Sequence, residues 1–266
     1  MTKLAKKFNY LRPLNAGQLT RLGNNKDGGY VVSNLALKKS DTLISFGLGD
    51  NFTFEKDFLT QRKGAKIFIY DHTVSYFSFL KKIYKTFKRM FYFKANFFDF
   101  ISRVLNLINY FIFFKINDFQ HIKLEVVSKI SKSYQTNLRD IFNITPSRNI
   151  VLSIDIEGGE YQIIKDLVKF EDRINLLIIE FHNTFILRKK FKKLILKLKI
   201  FFNIIHLHGN NYESIASDGL PIVLEFTLLN KKKFLINNKN FKKNFPIDKL
   251  DFPNVPSVKD YKINFY

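Results

Sequence analysis

Seven stretches of the chain are dense in apolar, β-branched and aromatic residues: 42–48, 66–70, 122–127, 149–156, 176–182, 204–208 and 222–229. Several are continuously apolar, as in Ile150-Val151-Leu152 and Leu176-Leu177-Ile178-Ile179, which predicts strands buried on both faces. Between the fifth and sixth stretches, Phe191, Leu194, Ile195 and Leu198 recur at helical spacing, with Lys189, Lys190, Lys192, Lys193, Lys197 and Lys199 largely opposite. That pattern predicts a sheet-covering helix with a solvated lysine face, a face that also suits a membrane surface. Strands alternating with helices predict an α/β fold, a doubly wound sheet of seven strands. Residues 75–118 interrupt the second interval with a helical segment rich in Phe, Tyr and Lys, read as an insertion or lid. Its texture suits a lipid headgroup or a sugar, and packing against the sheet explains the aromatics equally well. From 237 to 266 the chain is polar, with Pro246, Pro253 and Pro256, and an irregular wrapping tail is expected.

A length of 266 residues suits a single domain over 1–266 with elaborations. The absence of cysteine excludes disulfides, thiolate zinc sites and cysteine nucleophiles. The opening residues lack the apolar run of a secretory signal. The most apolar stretch, 104–114, is interrupted by Asn106 and Asn109 and is shorter than the ~20 residues of a bilayer span. No transmembrane helix is predicted, and the expected location is cytoplasmic, at most peripheral to the inner face of the membrane. The formal net charge of +21 draws attention to nucleic acid, anionic lipid and phosphorylated ligands. Lys, Asn, Ile and Phe are abundant and Trp is absent, as an AT-rich coding sequence tends to produce, and the lysines are scattered. The charge is therefore read mainly as compositional, with no specific nucleic-acid partner.

Four segments carry candidate chemistry. In the first, Phe46-Gly47-Leu48-Gly49-Asp50-Asn51, a strand runs into a glycine turn before a helical segment, and Asp71 closes the next strand. Glycines admit a nucleotide-like ligand close to the backbone and an acid there accepts ribose hydroxyls, so Gly47, Gly49, Asp50 and Asp71 are the expected cofactor residues. In the second, Ser153-Ile154-Asp155-Ile156-Glu157-Gly158-Gly159-Glu160, an acid ends an apolar strand, where it is costly without a task or a partner. In the third, Glu180 and His182 close the fifth strand and His206 and His208 the sixth, with Asn210 and Asn211 beyond. Imidazole suits proton transfer near neutral pH. Asp155, Glu180, His182, His206 and His208 are thus the catalytic candidates, and Asp155, Glu180 and His182 also form a candidate site for Mg or Mn. In the fourth, Arg21 and Asp27-Gly28-Gly29 precede the first strand, and Arg21, Asn210 and Asn211 are the substrate-binding candidates.

As a set, Ser-Ile-Asp-Ile-Glu-Gly-Gly-Glu-Tyr followed by Ile-Ile-Glu-Phe-His resembles the signature of FkbM-type class I S-adenosylmethionine-dependent methyltransferases. The opening Arg-Leu-Gly…Asp-Gly-Gly-Tyr-Val-Val, the Phe-Gly-Leu-Gly-Asp-Asn turn and His-Gly-Asn-Asn-Tyr strengthen the resemblance over roughly 20–70 and 150–230. It implies a Rossmann-like methyltransferase sheet of order 3-2-1-4-5-7-6, with S-adenosyl-L-methionine over the first two strands. Gly47 and Gly49 would lie beside its methionine portion and Asp71 beside its ribose. Two departures stand out: Ser45 occupies a first-strand position where many methyltransferases carry an acid, and Asn51 replaces a possible third glycine. The implied activity is O-methylation of a sugar or other small hydroxyl acceptor in polysaccharide or metabolite biosynthesis. A nucleic-acid methyltransferase is the alternative, although no Asn-Pro-Pro-Tyr-like motif is present, and a non-catalytic, membrane-associated binding module is a third reading. The oligomeric state is not legible.

Overall fold

The apolar stretches, most of them buried on both faces, pair into a seven-stranded sheet: β1 (Thr42–Phe46), β2 (Lys66–Tyr70), the more exposed edge strand β3 (Gln120–Ile122), β4 (Ile150–Ile154), β5 (Ile174–Phe181), β6 (Phe202–Gly209) and β7 (Leu224–Asn230). Their spatial order is 3-2-1-4-5-7-6, with β1 to β5 parallel and β7 antiparallel to both neighbours. This is the doubly wound, Rossmann-like methyltransferase topology. The computed structural model describes residues 4, 6–116, 119–236, 240–242 and 244–265.

The third strand differs from its expected span of 122–127. It pairs only through Gln120, His121 and Ile122, because β2 ends at Tyr70 and offers no ladder partner beyond Ile122. Glu125–Val126 leaves the sheet and pairs with Gln135–Thr136 instead. β1 stops at Phe46 rather than 48, since Gly47 at φ +86° turns the chain.

One apolar layer holds α4 (Leu138–Ile144), α5 (Glu160–Leu167) and α6 (Arg188–Phe201) against the sheet, joined by Phe245, Ile263 and Phe265 of the tail. Phe191, Leu194, Ile195 and Leu198 are the buried positions of α6. The tail is not wholly irregular, since Asn244–Phe245 and Ile263–Asn264 pair antiparallel; residues 237–239, 243 and 266 lie outside the described residues. The opposite layer holds α1 (Thr53–Gln61) and an antiparallel hairpin of Leu19–Leu22 with Tyr30–Ser33.

The insertion is a helical hairpin of α2 (Tyr76–Phe91) and α3 (Phe97–Ile116). Ser75 and Ser78 exchange side-chain to backbone hydrogen bonds in a capping box that starts α2. Phe79, Tyr110 and Phe113 fasten the pair to the α1 layer. Contrary to the expectation drawn from 104–114, Phe97–Lys115 is long and apolar enough to cross a membrane by length and composition, and it is mostly exposed. The apolar run was underestimated because Phe97, Phe98, Phe100 and Ile101 precede it across Ser102 and Arg103.

Candidate active site

The carboxyl ends of β1, β2 and β4 open into a cavity of about 370 Å³. Gly47 shapes its floor: a Cβ there would stand 1.8 Å from the Asp155 carbonyl oxygen, and φ +86° disfavours any side chain. The two strand ends are laced together by Asp155 N–H to Phe46 O (2.8 Å) and Gly47 N–H to Tyr70 O (3.0 Å). Gly49, also at positive φ, has open space where its Cβ would be.

Asp71 pins this turn. Its Oδ2 accepts from the Leu48 (2.8 Å) and Gly49 (3.1 Å) amides, and its Oδ1 from the Thr73 amide (2.7 Å) and hydroxyl (2.6 Å). Burial raises this carboxyl, but those donors outweigh burial and hold it below the usual range. Both oxygens are therefore committed to loop architecture, and a ribose would have to share them. Asp50 is likewise engaged, with Arg103 of α3 at 2.6 Å and Lys82 of α2 at 3.0 Å, so it ties the insertion to the glycine turn.

The cavity's charge runs opposite to the chain's. Asp27, Asp50, Glu55, Asp71, Glu125, Asp155 and Glu157 line it, and among the described residues no lysine or arginine does. Glu55 was missed in the sequence. It rises from α1, accepts from Ser45 Oγ at 2.7 Å, and is pushed up to about 7 by burial, the Ser45 hydrogen bond opposing. It thus delivers a carboxylate to the place where Ser45 lacks one. Asp27 and Tyr30, in the fourth candidate segment but not among the expected site residues, enter from the hairpin before β1; Asp27 is raised by burial despite a bond from Asn254 (3.1 Å).

Beside the cavity, four carboxylates surround one imidazole. His182 Nε2 lies 3.3 Å from Glu157 Oε2 and 3.7 Å from both Asp155 Oδ1 and Glu180 Oε1, while Nδ1 lies 3.6 Å from Glu160 Oε1. Glu160 accepts from the His182 amide (2.8 Å) and the Gly158 amide (2.8 Å), so it braces the β5 end against the α5 start. Glu157 and Asn183 both hold left-handed φ, near +51°, on either side of this cluster. Burial pulls His182 down, but Glu160, Asp155 and Glu157 outweigh it and raise its basicity. Burial and neighbouring carboxylates raise Asp155 and Glu180 in turn. The atoms suited to a cation are those of Asp155, Glu157 and His182, mutually within 4.8 Å. Glu157 stands where Glu180 was expected, because Glu180 is held by Asn210 Nδ2 at 2.9 Å.

The remaining candidates are structural braces in this arrangement. Arg21 donates to the carbonyls of Asn24 (2.7 Å), Lys26 (2.9 Å) and Leu250 (3.1 Å), which commits three of its five N–H groups to holding the hairpin and the tail. Asn211 holds Val255 and Val258 of the tail. His206 pairs with Asp251 at 2.9 Å, and His208 lies between Glu225 (3.3 Å) and Asp260 (3.1 Å). Burial lowers His208, yet Asp260 and Glu225 overcome it and raise it to about 10, so near neutral pH it is a cation rather than a base. These partners return from the tail or the adjacent strand, which no local pattern around 206–211 announces.

Strand order, glycine turn and acid-lined cavity together define a doubly wound α/β protein of methyltransferase topology with an acid-lined pocket at its strand ends. No family model matches the chain, and no curated protein matches it. Among solved structures, it is similar to a chain of a fibrillarin/Nop5p complex, at 10% identity and a TM-score of 0.37, over 72% of this chain and 73% of that one. It is also similar to a Methanococcus jannaschii fibrillarin pre-rRNA processing protein, at 10% identity and a TM-score of 0.36, over 74% and 70%. Likeness of this degree bears on neither substrate nor chemistry, and the fold class stands on the strand order itself.

Proposed function

We infer that the chain is an S-adenosyl-L-methionine-dependent methyltransferase that acts on a hydroxyl of a sugar or other small acceptor. The supporting observation is the charge reversal: among the described residues, seven acidic side chains, of which only Asp50 is paired with a lysine and an arginine, and no lysine or arginine line a nucleoside-sized cavity in a chain of net charge +21. A phosphate-bearing dinucleotide would be repelled there, whereas a ligand carrying sulfonium and ammonium groups is attracted. When bound, that ligand supplies an electrophilic methyl group, whose carbon–sulfur bond breaks as the carbon–oxygen bond forms.

The chain's own residues supply position and proton transfer. The Gly47–Gly49 backbone leaves room for the ligand, and Glu55, which lines the same cavity, would hold its ammonium group. Asp155 joins the cavity to the imidazole, because its main chain abuts Gly47 while its carboxylate faces His182. His182 takes the acceptor's hydroxyl proton, and Asp155 and Glu157 stabilise the imidazolium so formed. The acceptor enters along a groove of about 940 Å³ between the insertion and residues 24–27, lined in part by Asn24, Asn51, Asn109, Thr53, Thr86 and Ser102, whose amides and hydroxyls suit a polyhydroxylated ligand.

Calorimetry with S-adenosyl-L-methionine, its demethylated product and NAD tests the cofactor. Binding of the first two and not the third is expected; binding of NAD alone would overturn the reading. With methyl incorporation into a panel of sugar acceptors as readout, His182→Gln should lose ~100- to 10,000-fold in rate at unchanged cofactor affinity. Loss of activity in EDTA, restored by Mg or Mn, would replace this base by a cation on Asp155, Glu157 and His182.

A further inference from the structure

The insertion exposes more apolar surface than its packing on the core explains. On α2, Phe77, Leu80, Tyr84, Phe87 and Phe91 recur at spacings of three and four, and all are exposed. On α3, Phe98, Ile101, Leu105, Ile108 and Ile112 do the same, the first three at the edge of the groove between the insertion and residues 24–27. The connecting turn adds Phe93 at 97% exposure, beside Phe98 at 81%. Interleaved with these rings, residues 76–116 carry eight lysines and arginines against a single acid, Asp99.

We propose that the α2–α3 hairpin docks in the plane of an anionic lipid bilayer, with its exposed aromatic and aliphatic rows in the headgroup and acyl boundary and its cations on lipid phosphates. Exposed apolar rows flanked by lysines match the chemistry of such a boundary. An in-plane rather than spanning position follows from the polar stripe of α3. Arg103 is bonded to the Asp50 carboxylate and Asn106 to the Asp50 carbonyl (2.6 Å each), so one side of the helix is tethered to the glycine turn and cannot face lipid. A second copy of the chain is a poor occupant, because a two-fold contact would set against each other the six hairpin cations that are not paired with Asp50. Since Asp50 lines both the cavity and the acceptor groove, docking would hold the groove at the membrane surface. The proposal is independent of the methyl-transfer reading.

The absence of tryptophan makes a clean reporter available. Phe93→Trp, in the full chain with phosphatidylcholine vesicles containing roughly a third phosphatidylglycerol, should show blue-shifted emission quenched by brominated lipid. Ile144→Trp, on α4 in the opposite layer, should show neither. In vesicle flotation, the exposed-site pair Phe91→Glu with Phe98→Glu should lower partitioning by about tenfold or more at an unchanged melting temperature. Binding should weaken with salt and be lost on pure phosphatidylcholine. An unshifted Phe93→Trp spectrum, equal partitioning onto neutral vesicles, or undiminished flotation of the double variant would overturn the proposal. A lipid-free dimer abolished by the same pair would overturn it in favour of self-association.

Discussion

Replacing Glu55 by glutamine should stabilise the empty protein while weakening its hold on a cationic ligand. The side chain is 4% exposed, and its one side-chain partner is the Ser45 hydroxyl, which a glutamine carbonyl can also engage. Burial raises the carboxyl from 4.5 to about 7, so the folded state holds this proton more tightly than the unfolded chain. Stability associated with the proton is fully present below pH 4.5 and is lost as pH rises through 7. At ~1.4 kcal/mol per pH unit, the ionised form costs about 3 kcal/mol by pH 8. Glu55→Gln removes that cost, and other titrations cancel between the two proteins. Urea unfolding without ligand should therefore show no difference at pH 4 and a gain approaching ~3 kcal/mol at pH 8. Affinity for S-adenosyl-L-methionine should rise with pH through 7 in the native protein and rise less steeply in the variant, where Asp155, raised to about 7 by burial, still titrates. A stability difference that is the same at all pH values would refute the assignment of the buried charge to Glu55.

Gly47→Ala places a methyl group against the Asp155 carbonyl in a left-handed conformation; it should destabilise by ~2–4 kcal/mol in chemical unfolding and abolish nucleoside binding in calorimetry. Asp260→Asn takes one of two carboxylates from His208, whose proton is held to about 10. The variant should be less stable by ~1–3 kcal/mol below pH 6.5, with the difference closing as pH rises past 10, as followed by thermal unfolding across pH.

What was legible in the sequence is what depends on local pattern. β4 and β5 are buried throughout, and largely apolar, because they lie at the sheet's centre covered on both faces, and burial of that kind leaves its mark residue by residue. β3 was misplaced because an edge strand ends where its neighbour ends, and the length of β2 is not written into residues 122–127. Asp155 and His182 stood out as polar residues closing apolar strands, and the structure brings them together. His206 and His208 gave the same signal, but Asp251 and Asp260, which hold them, lie 45 and 52 residues further on in the tail. Glu55 looked like any acid in the first turn of a helix. The signal that could have found it was Ser45 itself, a hydroxyl where an acid is common, with an acid ten residues later facing back across the turn.

On the two proposals above, opposed charges on one molecule would address two different partners because of range. At physiological ionic strength the screening length is ~8 Å, so a ligand inside the cavity responds to the carboxylates lining it and hardly to distant surface lysines. On the proposed docking, those lysines would act instead on an extended anionic surface, where many weak contacts add. A uniformly basic protein would repel a sulfonium ligand from its active site, and a uniformly acidic one would be repelled by anionic lipid. Placing acids at the strand ends and cations on the inserted hairpin resolves that conflict. Asp50, bonded to Lys82 and Arg103, sits at the seam between the two regions. Neutralising it in Asp50→Asn would release two cations toward the cavity and loosen the hairpin together, so ligand affinity and hairpin protection from hydrogen exchange should fall in the same variant. Loss of one without the other would show that the seam does not couple them.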